Sequence, residues 1–442
     1  MKKKISTKKG VALWNKAKKI IPGGNQLLSK RSEMFLPDGW PSYYRKARGA
    51  EICDLDGNRF IDMSIMGIGS CVLGYADPDV NKAVSRAIKE GSMSTLNSPE
   101  EVELAELLLR IHPWAGMVRY ARSGGEAASI AVRIARAYTG RDKVAFCGYH
   151  GWHDWYLSAN LAKKKNLDGH LLPGLEPKGV PRGLQGLMFP FHYNKIDELK
   201  KIIASHKDIG VIIMEPMKGQ EPQKGFLESV RKIANEIDAV LIFDEITIGW
   251  KLVFGGAHLK YGVNPDVAIF AKAMSNGYPM AAVIGKKDVM QSAQDTFISS
   301  TYWTERIGPV AALATIKKMK KLNVVKHLAW AGRTVRDIWQ NSAKKHGLKI
   351  ALAGSLPLSS FVFDYEGKSQ ILKTLFVQEM LDRGFLASTL LFSSYAHKSR
   401  HFRLYAKAVD IAFGNIKHAL DSGNPKKFLR GPVAHSDFKR LT

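Results

Sequence analysis

Lys272 and Asp244 are the two residues whose positions ask for chemistry. Lys272 ends the apolar run Val267 to Ala271, and Asp244 ends Leu241-Ile242-Phe243, 28 positions earlier. An amine or a carboxylate at the end of a buried strand is costly unless something uses it. An amine kept neutral by burial can attack an aldehyde, and a buried carboxylate can hold a proton on a ring nitrogen. The pair therefore suggests a pyridoxal phosphate (PLP) site, with Lys272 forming the Schiff base and Asp244 facing the pyridinium nitrogen. Among 66 Lys and Arg residues a surface position is the default for any one. The strand before Lys272, with Gly277 and Pro279 after it, argues against that default.

Other groups fit around this pair. Arg122-Ser123-Gly124-Gly125-Glu126-Ala127 follows an apolar strand and opens a helix. There the small residues Ser123, Gly124 and Gly125 let backbone N–H groups approach a phosphate, which the helix dipole favours. Alone, the same pattern is a turn before a helix. It is not a Walker A loop, and Gly67-Ile68-Gly69 lacks the third glycine of a dinucleotide fingerprint. Tyr149 can stack on a flat ring, with Ile246 on the opposite face. His150 can assist or pack. His153 and Asp154 read as structural, and no ligand cluster points to a metal. The hydroxyls of Ser299-Ser300-Thr301-Tyr302-Trp303-Thr304 can bond phosphate oxygens or line a polar loop.

These residues need elements to hold them. Strand-length apolar runs occur at Met117–Ala121, Val144–Cys147, Leu187–Phe189, Val211–Met214, Val240–Phe243, Val267–Ala271 and Ala281–Ile284. Helical segments separate most of them, which argues an α/β fold with a mainly parallel seven-stranded sheet covered by helices. Ser123, Tyr149, Glu215, Asp244 and Lys272 all fall just after such runs, where ligands of these sheets sit. Upstream, residues 11–21 read as a helix, 50–62 as a hairpin turning at Asp56-Gly57-Asn58, and 78–91 and 99–112 as helices, the last with Ser98 as N-cap. Downstream lie a helix over 325–345, strands near 349–364, helices over 370–383 and 403–420, and an extended tail from Leu429. Three parts are expected. Residues 1–75 are an N-terminal segment packing with the small domain. Residues 76–325 form the large cofactor-binding domain, and 326–442 a small α+β domain.

The whole chain sets limits. Its 442 residues are 45% hydrophobic, and no apolar stretch reaches the roughly 18 residues of a membrane span. The basic N-terminus has no apolar segment after it, so a cytoplasmic protein is expected. Cys53, Cys71 and Cys147 give neither a disulfide framework nor metal spacing. The net charge of +26, from 66 basic and 40 acidic residues, is spread along the chain. There is no nucleic-acid-binding signature, so a solvated basic surface is expected, with an anionic substrate as a further reason for it. A basic scaffold on a decayed enzyme fold would lack Asp244 and Lys272.

From Ile21-Pro22-Gly23-Gly24 to about residue 420 the chain resembles the class III aminotransferases of PLP fold type I, nearest the glutamate-1-semialdehyde 2,1-aminomutase branch. The resemblance rests on Asp56-Gly57-Asn58-Arg59-Phe60-Ile61-Asp62, Leu73-Gly74-Tyr75-Ala76, the Ser123 segment, Tyr149-His150-Gly151, Glu215-Pro216, Asp244-Glu245 and Lys272. It implies Ser123, Gly124 and Gly125 at the phosphate, Tyr149 and Ile246 on the ring faces, Asp244 at the ring nitrogen and Lys272 as the Schiff-base lysine. It also implies a homodimer in which Thr301 reaches the phosphate across the interface. The activity implied is amino transfer from a donor to a small anionic carbonyl compound, with pyridoxamine phosphate (PMP) as the half-reaction form. Intramolecular transfer of the aminomutase type is the alternative. The chain departs from that branch at Gly67-Ile68-Gly69, where the branch has Ser-Trp-Gly. It departs again at Leu390-Leu391-Phe392-Ser393-Ser394-Tyr395, which lacks the branch's gating glutamate. The branch's substrate-carboxylate arginine follows Pro-Gly-Gly, and the resemblance implies that Lys30 or Arg31, in Asn25-Gln26-Leu27-Leu28-Ser29-Lys30-Arg31, takes its place.

Overall fold

The computed structural model describes residues 5–170, 173–438 and 441. The chain divides into two units, Pro78–Val325 and a second built from Met1–Asp77 together with Lys326–Thr442.

The first unit is organised by the seven apolar runs, which are seven strands of one sheet. They are β1 (Met117–Ala121), β2 (Lys143–Cys147), β3 (Met188–Pro190), β4 (Ile209–Met214), β5 (Val240–Asp244), β6 (Val267–Phe270) and β7 (Ala281–Gly285). Their order across the sheet is β1-β7-β6-β5-β4-β2-β3. β7 runs antiparallel to both its neighbours, and the other pairs are parallel. Every residue of β4, β5 and β6 is buried. This is why these strands read as continuous apolar runs and not as alternating ones. Helix α1 (Gly124–Thr139) covers one face through Ala127, Ile130, Ala131 and Ile134. Helix α2 (Phe226–Glu236) covers the other through Phe226, Leu227, Val230 and Ala234. The expected fold class is thus the observed one.

Register places the chemistry. Cys147 pairs with Met214, Met214 with Phe243, and Asp244 with Ile269. The carboxyl ends of β2, β4, β5 and β6 therefore lie side by side, and Tyr149, Glu215, Asp244 and Lys272 leave from one edge of the sheet.

The second unit closes a sheet from both ends of the chain. The hairpin is present as strands Glu51–Asp54 and Arg59–Met63, and Phe385–Ala387 pairs in parallel with the latter, Phe385 against Ile61. Helices Val324–His346, Ser369–Leu381 and Ser399–Asp421 enclose Trp339, Phe361, Phe376, Tyr405 and Phe413. The three-residue strands Phe385–Ala387 and Leu390–Phe392 carry no sequence signal of their own. Among its described residues the tail after Leu429 has no regular structure but is anchored, since Ala434 is buried and its N–H donates to Thr374 Oγ1 at 3.0 Å. The N-terminal helix begins earlier than expected, at Lys8. Ser98 stands at the cap of helix Pro99–Ile111, but its side chain makes no capping bond. Among the described residues no helix is long and apolar enough to cross a membrane.

Candidate active site

The last residue of β5 is the centre of the site. Asp244 is 2% exposed. Its Oδ2 accepts from His150 Nδ1 at 2.8 Å, and its Oδ1 accepts the Ile246 N–H at 3.0 Å. A buried carboxylate needs such partners to replace the hydration it gives up. His150 is itself buried, and its Nε2 has no hydrogen-bond partner among the described residues. Glu245 points the other way. It is fully buried and accepts from the Ala257 N–H at 2.9 Å, the His258 N–H at 2.9 Å and His258 Nδ1 at 2.8 Å. Trp114 Nε1 donates to His258 Nε2 at 3.0 Å, which leaves the proton on Nδ1. The turn after β5 is thus clamped on both sides.

Lys272 opens a short 3₁₀ turn, Lys272–Ser275, after β6. Its φ of +48° is a left-handed conformation that a side chain with a Cβ adopts at a cost of about 1 kcal/mol or more. The strand and turn fix it there, and Nζ lies 2.9 Å from Thr247 Oγ1. Burial pulls the amine below its ordinary 10.5, while the charges of Asp244 and Glu215 act the other way. Glu215 is pushed up, first by burial and then by Asp244.

Tyr149 follows β2 and is 43% exposed, and its N–H donates to Glu215 Oε1 at 3.1 Å. Burial, then the Asp244 charge, raises its phenol. At the start of α1, Ser123 and Glu126 form a capping box: Ser123 N–H donates to Glu126 Oε2 at 2.8 Å and Glu126 N–H donates to Ser123 Oγ at 3.4 Å, while the Ser123 hydroxyl also donates to that Oε2 at 3.0 Å. A Cβ on Gly124 would lie 2.9 Å from Ile246 Cδ1, and one on Gly125 2.9 Å from His153 Cε1. Glycine is what lets these neighbours close on the helix N-terminus. Lys272, Asp244, Tyr149, Ile246, Gly124 and Glu215 are thus tied into one cluster by direct contact or charge. Thr301 stands apart on an exposed turn, Thr301–Thr304. Among the described residues no group of His, Cys, Asp and Glu could hold a metal ion, and the three cysteines are free.

Three contributors escaped the sequence reading: Thr247, Lys251 and His170. His170 Nδ1 accepts the Gly148 N–H at 3.1 Å and so steadies the segment that presents Tyr149. Burial, with Lys218 nearby, lowers His170 from 6.5 to about 3. The unfolded chain takes up that proton near pH 6.5 and the folded chain only near 3, so stability present above pH 6.5 is lost as pH falls through that window. Each pH unit there costs up to about 1.4 kcal/mol. The urea midpoint is expected to fall as pH drops from 6.5, and His170→Gln, which keeps an acceptor but does not titrate, to flatten that fall. An unchanged slope in the variant would refute the assignment.

Residues 38–387 match the family model "Aminotransferase class-III". The chain is 32% identical to the 3-aminobutyryl-CoA aminotransferase of Cloacimonas acidaminovorans over 392 residues, covering 86% of this chain and 90% of that one. It is 35% identical to the glutamate-1-semialdehyde 2,1-aminomutase of Methanobrevibacter smithii over 352 residues, 77% of this chain and 80% of that one. In structure it is similar to the FumI protein of Sphingopyxis sp. MTA144, solved in its PLP internal aldimine form, with a TM-score of 0.85 at 23% identity. That match covers 96% of this chain and all of that one.

Proposed function

Since the chain belongs to the class-III aminotransferase family, we propose that it moves an amino group between an amino donor and a small anionic carbonyl compound, with PLP as cofactor and Lys272 as its covalent anchor. The observation that carries this reading is the Lys272 amine, half-buried and pulled below its ordinary pKa by desolvation, at the sheet edge it shares with the buried Asp244.

The residues fit the group. The buried Asp244 carboxylate is steadied by His150 and Ile246 N–H, and suits a protonated ring nitrogen. The bare backbone at Gly124 and Gly125 heads a 16-residue helix, and suits a phosphate. When bound, PLP supplies an aldehyde that captures amines and a ring that withdraws electrons from the substrate carbon. Asp244 holds a proton on the ring nitrogen. Tyr149 stacks on one face, and Ile246 packs on the other. Gly124 and Gly125 N–H groups orient the phosphate. The Ser123 hydroxyl joins them by leaving Glu126. Lys272 Nζ, whose hold on a proton is weakened by burial, would take a proton from the substrate carbon and return it to a neighbouring atom. The basic surface draws anionic acceptors toward the protein.

Thr301 completes the phosphate site of a second copy in this reading. Phe297 is 85% and Tyr302 71% exposed beside it, and an apolar surface of that kind supports pairing of two chains. Sedimentation at twice the chain mass is expected; a monomer that turns over would remove Thr301 from the site.

The test is a half-reaction. Amino donors added to the PLP-loaded protein should convert the cofactor to PMP, and carbonyl acceptors should restore it. No donor changing the spectrum would end the proposal. Product formed from a PMP-loaded protein with no donor present would assign intramolecular transfer, the activity in the name of the M. smithii relative.

A further inference from the structure

Two lysine amines, one from the half-buried Lys272 and one from the buried Lys251, meet at Thr247. Lys272 Nζ lies 2.9 Å from its hydroxyl, and Lys251 Nζ donates to its carbonyl oxygen at 2.6 Å. Lys251 is only 2% exposed, a rare state for a lysine. Burial, then the charge of Lys272, pulls it well below 10.5, and Glu245 opposes them. The turn between the two lysines' contacts is tight. Gly249 N–H donates to the Glu245 carbonyl at 2.8 Å, and a Cβ on Gly249 would lie 2.6 Å from that oxygen. Asp244 and Glu245 hold the start of this turn, and Lys251 holds its end.

We propose that Thr247 is a positioning residue whose hydroxyl holds the free amine of Lys272, and that Lys251 braces the turn presenting that hydroxyl. This deepens the function proposed above and rests on it. A hydroxyl both donates and accepts, so it can hold Lys272 in either protonation state. It holds the ammonium more strongly than the neutral amine. The other charged groups around Lys272 are Asp244 and Glu215, which favour its charge, and Lys251, which opposes it when protonated. A neutral Lys251 still donates to the Thr247 carbonyl without repelling Lys272. Thr247 therefore keeps the amine aimed at the site while it is free to carry a proton.

Acetylation of the full-length protein by dilute acetic anhydride, from neutral to alkaline pH, tests this. Lys272 modification is read by mass spectrometry against exposed Lys163. In cofactor-free protein Thr247→Val is expected to lower the Lys272 midpoint by about half a unit or more. Thr247→Ser, which keeps the hydroxyl, should restore it, and Lys251→Met should move it part of the way down. An unchanged midpoint in Thr247→Val overturns the positioning role. A raised midpoint in Lys251→Met means that Lys251 acts as a charge and overturns the brace. PLP should block acetylation of Lys272 in the wild type. If it does not, the proposed function fails, while the Thr247 result on the free amine stands by itself.

Discussion

Lys272→Ala should lower turnover on the order of 10⁴-fold or more and abolish the visible absorbance of protein-bound PLP. The size follows from the two tasks proposed for one atom: Nζ anchors the cofactor and then moves the substrate proton. Alanine leaves the strand, the turn and the left-handed backbone in place, because it carries the same Cβ as lysine at φ +48°. It also removes an amine that is costly to bury, so the urea midpoint should stay level or rise. Activity and stability should therefore part company. Added methylamine, which replaces a missing amine in the cavity, should return a small part of the rate. A variant that turns over at the wild-type rate would end the PLP reading of the whole site.

Asp244→Asn should cost about 10³-fold in turnover, the scale of removing one preorganised electrostatic group. The amide oxygen can still accept the Ile246 N–H at 3.0 Å, but the NH2 that replaces Oδ2 can only donate, so the 2.8 Å contact survives only with the His150 proton moved to Nε2. The negative charge is lost, and the His150 bond is reversed or broken. PLP should still bind, and the spectrum of the bound form should shift because the ring nitrogen loses its proton. The loss should appear in kcat more than in KM, since the charge matters most when electrons enter the ring. A variant within tenfold of wild type would mean that Asp244 does not face the ring nitrogen.

Much of this was legible in the residues. Parallel strands buried on both faces are unbroken apolar runs, so β4, β5 and β6 could be read directly, and a charge at the end of each stood out. Short strands were not legible. Phe385–Ala387 and Leu390–Phe392 are set by pairing with residues far away in the chain. Lys251 was illegible for a different reason. It is one of 66 basic residues, and only the fold shows that its ammonium end is buried against Thr247. His170 stands in a polar stretch with no periodicity. The segment Met66, Gly67, Ile68 and Gly69 is another case, with φ of 39°, 63°, 60° and 71°. A left-handed turn containing a β-branched residue contradicts local preference, and no propensity argument finds it.

The parallel pairing of Phe385 with Ile61 has a consequence for synthesis. The partner of Ile61 leaves the ribosome 324 residues later, roughly 15 to 65 s at 5–20 residues per second. Before that interval ends, Pro78–Val325, which is continuous in sequence, can complete its own sheet. The N-terminal hairpin meanwhile waits with the edge of Arg59–Met63 unpaired, carrying Phe60 and Met63, which end up buried. An open apolar edge is the kind of surface that chaperones hold and neighbouring nascent chains capture. Yield in cells should therefore depend on how fast the residues between Ile61 and Phe385 are translated as well as on how stable the finished protein is.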